Sequence, residues 1–337
     1  MTLDPRLKRG LCLTRIFKNP PAPLTPEWAV ERFTPEDGEA IKAQGYTNVQ
    51  LQIPVDCWLD SPAMLKAAGV VIGQIEDCGL LVVADFWHES KTVRFFEDII
   101  RKPEGALRVI SSYTRIADLL ADRPNVHLHV LNEAGGRPEQ WEDADVDSYN
   151  GLITSVAEIV QKSSPGRIIH ANPPSWGNYV YWWEPPQIPN LVTRVNAWDP
   201  FIRTHAGANW FSGYWEFLRY INGLKWPFAP WNVLDRLSFL RYALSPEQSR
   251  AAVNEMWNYR GFPNVKAIRK VARDCRETYG PNTILGEFGC RIAGDPAGRK
   301  ALLDAYKSAW SHWTEFAEFD GYDWPEGGRL TFRSQAV

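Results

Sequence analysis

Short β-rich runs alternate with longer amphipathic segments along almost the whole chain, and this alternation limits the fold more than any other feature. The runs are Gly10–Phe17, Asn48–Pro54, Leu80–Asp85, Val126–Asn132, Arg167–Ala171, Thr193–Ala197, Thr283–Phe288 and Phe319–Trp324. Between them, apolar residues recur at helical spacing, which predicts helices over Pro35–Gln44 with Thr34 as N-cap, Pro62–Asp77, Ala106–Ala121, Val146–Lys162, Val265–Tyr279 and Pro296–Glu318. In Val265–Tyr279 the spacing puts Ile268, Val271, Ala272 and Cys275 on one face and Lys and Arg on the other. Repeated strand–helix units build a parallel sheet, and eight of them close a barrel. The expected fold is therefore α/β, a (β/α)8 TIM barrel. The 337 residues would suffice for two average domains, but barrels of this length are common. No fixed-period repeat, low-complexity tract or linker divides the chain, so residues 1–337 read as a single barrel domain.

One connection is much longer than the rest. Residues 201–264, after the sixth run, contain Trp210, Trp215, Trp226, Trp231 and Trp257. Loops of this length carry structure or function of their own, and in a barrel this one falls at the C-terminal rim, where active sites are built. It either walls off a pocket or lines an open cleft, which would imply exo or endo action respectively.

Charge narrows the range of partners. The 37 basic and 40 acidic residues are dispersed, giving a net charge of −3 and no footprint for nucleic acid or anionic lipid. A neutral ligand fits better, and the 16 Trp offer rings that stack on apolar sugar faces while their N–H groups reach hydroxyls. The cysteines Cys12, Cys57, Cys78, Cys275 and Cys290 are odd in number and widely spaced, so they read as buried free thiols. The polar, basic start of the chain is unlike a signal peptide, and no stretch has the length of a membrane span. On this reading the protein is cytoplasmic and monomeric, or secreted if a leader has been removed.

Catalytic side chains in a barrel sit at the carboxyl ends of strands. Glu133 closes the run ending Leu131-Asn132, and Glu287 closes Thr283-Ile284-Leu285-Gly286. Each places a charge where an apolar strand ends, which costs free energy without a partner or a task. Two carboxyls facing each other across a barrel are what glycoside hydrolysis requires. One protonates the leaving oxygen while the other attacks the anomeric carbon or activates water.

The segments Leu131-Asn132-Glu133-Ala134 and Ile284-Leu285-Gly286-Glu287-Phe288-Gly289 resemble the fourth- and seventh-strand motifs of glycoside hydrolase family 5. Trp198-Asp199-Pro200-Phe201-Ile202-Arg203-Thr204-His205-Ala206-Gly207-Ala208-Asn209-Trp210 is similar to the segment after its sixth strand, and Gly223-Leu224-Lys225-Trp226-Pro227 to the aromatic-Pro motif beyond it. The resemblance runs from the first strand to Trp324. It implies a retaining β-glycosidase with Glu133 as acid/base, Glu287 as nucleophile and Asn132 on the sugar 2-hydroxyl, acting on an oligosaccharide, polysaccharide or glycoconjugate without a cofactor. Trp324, closing the expected eighth strand, would be the platform beneath the sugar, and Trp210, His88 and His205 fall at the rim, with a structural role in a tight turn as the alternative for His205.

The chain also departs from that family. Gln52 stands where an Arg is usual, Asp85-Phe86-Trp87 replaces Asp-x-His with His88 following, and Asn196 and Trp198 replace a His and a Tyr. Gln52 donates hydrogen bonds but brings no cation to the nucleophile. Arg15, Arg203 and Arg291 are candidates to supply one. The more aromatic surroundings point to a substrate other than plain cellulose.

His127 and His129 share one face of a strand, a pairing that can hold metal. No further ligands gather around them in the sequence, so they read as core histidines and no metal is expected. There is no Gly-x-Ser-x-Gly elbow or phosphate-binding loop. Two other functions use the same residues: a carbohydrate-binding barrel with weakened chemistry, and a transglycosylase that passes the sugar to an acceptor other than water.

Overall fold

The first seven expected runs, with an eighth strand from elsewhere, pair into a closed barrel in the computed structural model, which describes residues 2–17, 23–54, 61–87, 95–135, 138–179, 182–198, 204–205, 218, 265–290, 296–316, 322–323 and 331–332. Strands β1 (Arg9–Leu13), β2 (Asn48–Pro54), β3 (Leu81–Trp87), β4 (His127–Asn132), β5 (Ile169–Ala171), β6 (Leu191–Ala197), β7 (Thr283–Phe288) and β8 (Trp313–Phe316) are parallel neighbours in chain order, and β8 returns to β1. The described helices are α1 (Pro26–Arg32), α2 (Pro35–Ala43), α3 (Pro62–Asp77), α4 (Pro103–Leu119), α5 (Asp143–Ser163), α6 (Val265–Tyr279) and α7 (Pro296–Ala309). The architecture is a (β/α)8 TIM barrel. Of the long connection 201–264, only Thr204, His205 and Leu218 are among the described residues.

Local chemistry explains where helices begin. Thr34 Oγ1 accepts from the Asp37 N–H, and the Asp37 carboxyl accepts from the Thr34 N–H at 2.9 Å, a reciprocal capping box ahead of Pro35. Thr25 and Ser61 cap α1 and α3 in the same position before a proline. On α6 the buried residues Ile268, Ala272, Cys275 and Tyr279 recur at helical spacing.

The eighth strand lies earlier than the sequence suggests. The expected helix Pro296–Glu318 stops at Ala309, and Trp313–Phe316 enters the barrel between β7 and β1, with Trp313 opposite both Leu285 and Arg9. Trp310, Trp313 and Phe316 are spaced so that they extend the helical pattern, which hid an aromatic and β-branched strand. Tyr322–Asp323 (β9) instead pairs antiparallel with Thr331–Phe332 (β10), apart from the barrel.

Strand alternation separates two interiors. Leu11, Val49, Leu51, Val82, Leu128, Val195 and Leu285 point outward into one continuous core beneath the helices. Gln50, Asp85, His127, His129, Arg194 and Thr314 point toward the axis and are buried. At the foot of the barrel Leu7 packs on Leu81 and Val83. Arg167 closes the same end by donating to the carbonyls of Leu120, Arg123 and Val126 and to Ser164 Oγ. The four described cysteines, Cys12, Cys78, Cys275 and Cys290, are buried and form no disulfide with one another. No described helix is long and apolar enough to cross a membrane.

Candidate active site

Both strands that end in glutamate are bulged. On β4, Asp85 pairs with His129 but Trp87 pairs with Asn132, so β4 carries one extra residue. Leu131 absorbs it with φ +50°, and its N–H is held by the Tyr113 hydroxyl at 3.0 Å. A period of two would turn Asn132 away from the axis on which His127 and His129 lie; the extra residue restores it to the inside. On β7, Leu285 pairs with Trp313 and Glu287 with Thr314, placing an extra residue at Gly286. That bulge turns Glu287 inward by the same reasoning. Glu133, with φ +55°, is itself in a left-handed conformation that costs a non-glycine residue about 1–3 kcal/mol.

Glu287 is 1% exposed, and three side-chain amides donate to its carboxyl. Its Oε1 accepts from Gln50 Nε2 at 2.8 Å, Gln52 Nε2 at 2.5 Å and Asn132 Nδ2 at 2.6 Å. Two of these donors are shared with a second buried carboxyl: Gln50 Nε2 reaches Asp85 Oδ2 at 2.6 Å and Asn132 Nδ2 reaches it at 2.8 Å. The far oxygen of Asp85 lies 3.0 Å from His129 Nδ1, within ion-pair range but off the line of a hydrogen bond. Below them, Arg194 on β6 donates to Gln50 Oε1 and, at 2.8 Å, to Thr314 Oγ1. Burial draws the Arg194 guanidinium below its ordinary pKa, while Asp85 and Glu287 push it back up.

Glu133 is half-buried, and its Oε1 accepts from Asn196 Nδ2 at 3.1 Å and Trp198 Nε1 at 3.3 Å. The other end of Asn196 accepts from the Glu287 backbone N–H at 2.8 Å. One side chain thus ties together the ends of β4 and β7. Trp198 is fixed in turn by edge contacts with His205 and Phe316, each 5.4 Å between ring centroids, and Thr204 Oγ1 donates to the Trp198 carbonyl at 2.6 Å. His205 therefore supports the Trp198 ring that bonds Glu133.

The structure brings together Gln52, Asn132, Glu133, Asn196, Trp198, His205 and Glu287. Trp87 ends β3 in register with Asn132, but its side chain lies outside the described residues, as do His88, Trp210, Trp324, Arg203 and Arg291. Trp324 does not close the eighth strand, which ends at Phe316. Arg15 is half-buried just after β1. Among the described residues the cation that contacts the amide network is Arg194, which, like Gln50, is not among the candidates drawn from the sequence. A charge inside the run Leu-Val-Thr-Arg-Val-Asn-Ala was the available signal. Trp176 was also missed: it is 41% exposed with φ +63°, and a Cβ on Gly135 would come within 3.2 Å of its ring.

His127 and His129 do face the same way, but each has a different neighbour. His127 Nδ1 is 3.0 Å from His170 Nε2, whereas His129 faces Asp85. Burial lowers His127 to about 4 and takes His170 well below its ordinary value. Among the described residues no group of three or more His, Cys, Asp or Glu could hold a metal ion.

Solved structures with this architecture include the cellulose synthase subunit Z of Clostridioides difficile, 15% identical with a TM-score of 0.70 over 97% of each chain. Thermotoga maritima Cel5A, in structures with cellobiose and with mannotriose, is 19% identical in both, with TM-scores of 0.67 and 0.66. Those alignments cover 98% of this chain, and 98% and 96% of the Cel5A chains. At these identities the likeness is one of fold. No family model and no curated protein matches the chain.

Proposed function

We propose that the protein is a divergent member of glycoside hydrolase family 5 that cleaves a β-linked glycan or glycoconjugate with retention. Glu133 is its acid/base and Glu287 its nucleophile. The observation that carries this reading is the pair of glutamates on bulged ends of β4 and β7, joined through Asn196. Glu287 attacks the anomeric carbon as Glu133 protonates the departing oxygen, and Glu133 then draws the proton from the water that releases the sugar. Asn196 and Trp198 both donate to Glu133 Oε1 and so orient the acid/base carboxyl. The amide donors on Glu287 Oε1 favour its charged form. Asn132 gives an amide proton to each of two carboxyls, Asp85 and Glu287, and so fixes the nucleophile's orientation. The exposed Trp176 ring beside Gly135 is a stacking surface for a neighbouring sugar. The cellobiose and mannotriose complexes of Cel5A make β-linked glucans and mannans the first substrates to try.

Incubation with an activated 2-fluoro aryl β-glycoside, followed by peptide mass spectrometry, should place a glycosyl adduct on Glu287. Glu287→Gln should lose at least about a thousandfold in kcat with an aryl β-glycoside, on the scale of losing a covalent nucleophile. An inverted product anomer, or full turnover by Glu287→Gln, would reject the mechanism. The neutral donors around Glu287 also favour a binding protein with weakened chemistry. Calorimetric binding of the same glycans with no product at any pH selects that reading, and sugar-acceptor products at high substrate concentration select transglycosylation.

A further inference from the structure

The amides between Asp85, Glu287 and Arg194 have only one orientation that satisfies all three. Carboxylate oxygens accept and a guanidinium only donates, so Gln50 must present Nε2 to the carboxyls and Oε1 to Arg194. Flipping it would put an oxygen against two carboxyls and an NH2 against a cation. Arg194 is itself held by Thr314 Oγ1, and no carboxyl among the described residues pairs with it directly. Its charge therefore reaches Glu287 through Gln50 and through the low-dielectric barrel interior. Asp85 acts with the opposite sign. It takes one proton from each of the Gln50 and Asn132 NH2 groups that also serve Glu287, and sets a second negative charge two hydrogen bonds away.

We propose that Arg194 and Asp85 are opposed positioning residues for Glu287: Arg194 favours its charged form through Gln50, and Asp85 opposes it through the shared amides. The proposal rests on Glu287 being the nucleophile. Among the described residues, the charged or titratable groups facing this cluster are Cys12 on β1, Asp85 on β3, His127, His129 and Glu133 on β4, His170 on β5 and Arg194 on β6, and the buried Tyr113 hydroxyl on α4 also feels Asp85. Glu315 on β8 points the other way, to Tyr46 and Lys307.

The test compares pH profiles of kcat/KM with an aryl β-glycoside. Asp85→Asn is nearly isosteric and still accepts both amides. It should move the acid limb down by about one pH unit, and Arg194→Met should move it up by a similar amount, the usual scale for one neighbouring charge. Arg194→Lys, which keeps the cation, should lie between Arg194→Met and the wild type. A merely structural role predicts lower activity with limbs that do not separate. Limbs that stay put, or that move together, overturn the proposal. If Arg194→Met does not fold, Thr314→Val loosens the guanidinium and should give a smaller upward shift, with no shift counting against the proposal. If the wild type cleaves no glycoside, the functional reading fails by itself. The relay is then read from the 13C carboxyl titration of Glu287, assigned with Glu287→Gln, where the same opposed displacements are expected and their absence is equally decisive.

Discussion

Gly286→Ala tests whether the bulge and Asn196 hold the two glutamates as one unit. Gly286 is not in the left-handed region, so alanine suits its backbone and the cost comes from contacts. A Cβ there would lie 2.4 Å from Asn196 Oδ1 and 3.3 Å from both Arg194 Cβ and the Val195 carbonyl. Asn196 is fully buried and bonded at both ends, so it cannot swing aside cheaply. Overpacking costs about 1–3 kcal/mol. Stranding the Glu287 N–H adds about 1–3 kcal/mol. Together these predict a loss of about 2–6 kcal/mol, or about 3–9 °C in Tm at roughly 2 cal/mol/K of unfolding entropy per residue. Because Glu133 and Glu287 both lose a support, kcat/KM should fall by about a hundredfold. Differential scanning calorimetry and initial rates provide the measurements. Gly151→Ala is the control: Gly151 lies on the exposed face of α5 with nothing within 4 Å of an added Cβ, and alanine there should stabilise by about 0.5–1 kcal/mol. If Gly286→Ala matches the wild type in Tm and rate, Asn196 does not couple the two strand ends.

Two further predictions concern stability. His127 is held neutral by burial, with a pKa of about 4 against about 6.5 in an unfolded chain. Its contribution is complete above pH ~6.5 and is lost as pH falls toward ~4, because the unfolded state then binds a proton that the folded state does not, amounting to about 2 kcal/mol at pH 5. Urea unfolding at pH 7.5 and pH 5 should therefore show a smaller acid loss in His127→Gln than in the wild type, with His170 supplying part of the remainder; an identical loss would contradict the assignment. Lys307 Nζ sits 2.6 Å from Glu315 Oε2, and the lysine side chain is 28% exposed while the glutamate side chain is 2% exposed. Lys307→Met should cost about 2 kcal/mol, less than a fully buried pair because solvent reaches the lysine. Adding Glu315→Gln should recover part of that loss, and strictly additive penalties would show that the two do not interact.

How far the molecule was legible depends on which interaction set each feature. The strands β2 and β7 and the helices α3 and α6 have the same ends in sequence and structure, because a proline, a cap or an abrupt change of hydrophobic period marks them locally. β8 had no such mark. Its Trp313-Thr314-Glu315-Phe316 continues a helical spacing, and only pairing with β7 and β1, distant in sequence, makes it a strand. The glutamates were legible because a charge at the end of an apolar run is unusual in either secondary structure. Their inward orientation was not, since it depends on one extra residue in each of two strands and on Tyr113 pinning one of them. Arg194 did carry a mark, a charge inside an apolar run, but nothing local tied it to Glu287. A search for a cation near Glu287 naturally turns to residues beside rim motifs, such as Arg203 and Arg291, whereas Arg194 stands within a strand and meets Glu287 through the amide of Gln50, 144 positions away in sequence from Arg194. Gln52 near the end of β2 therefore does not by itself imply an uncharged pocket: Arg194 on β6 bonds Gln50 on β2, whose amide reaches Glu287.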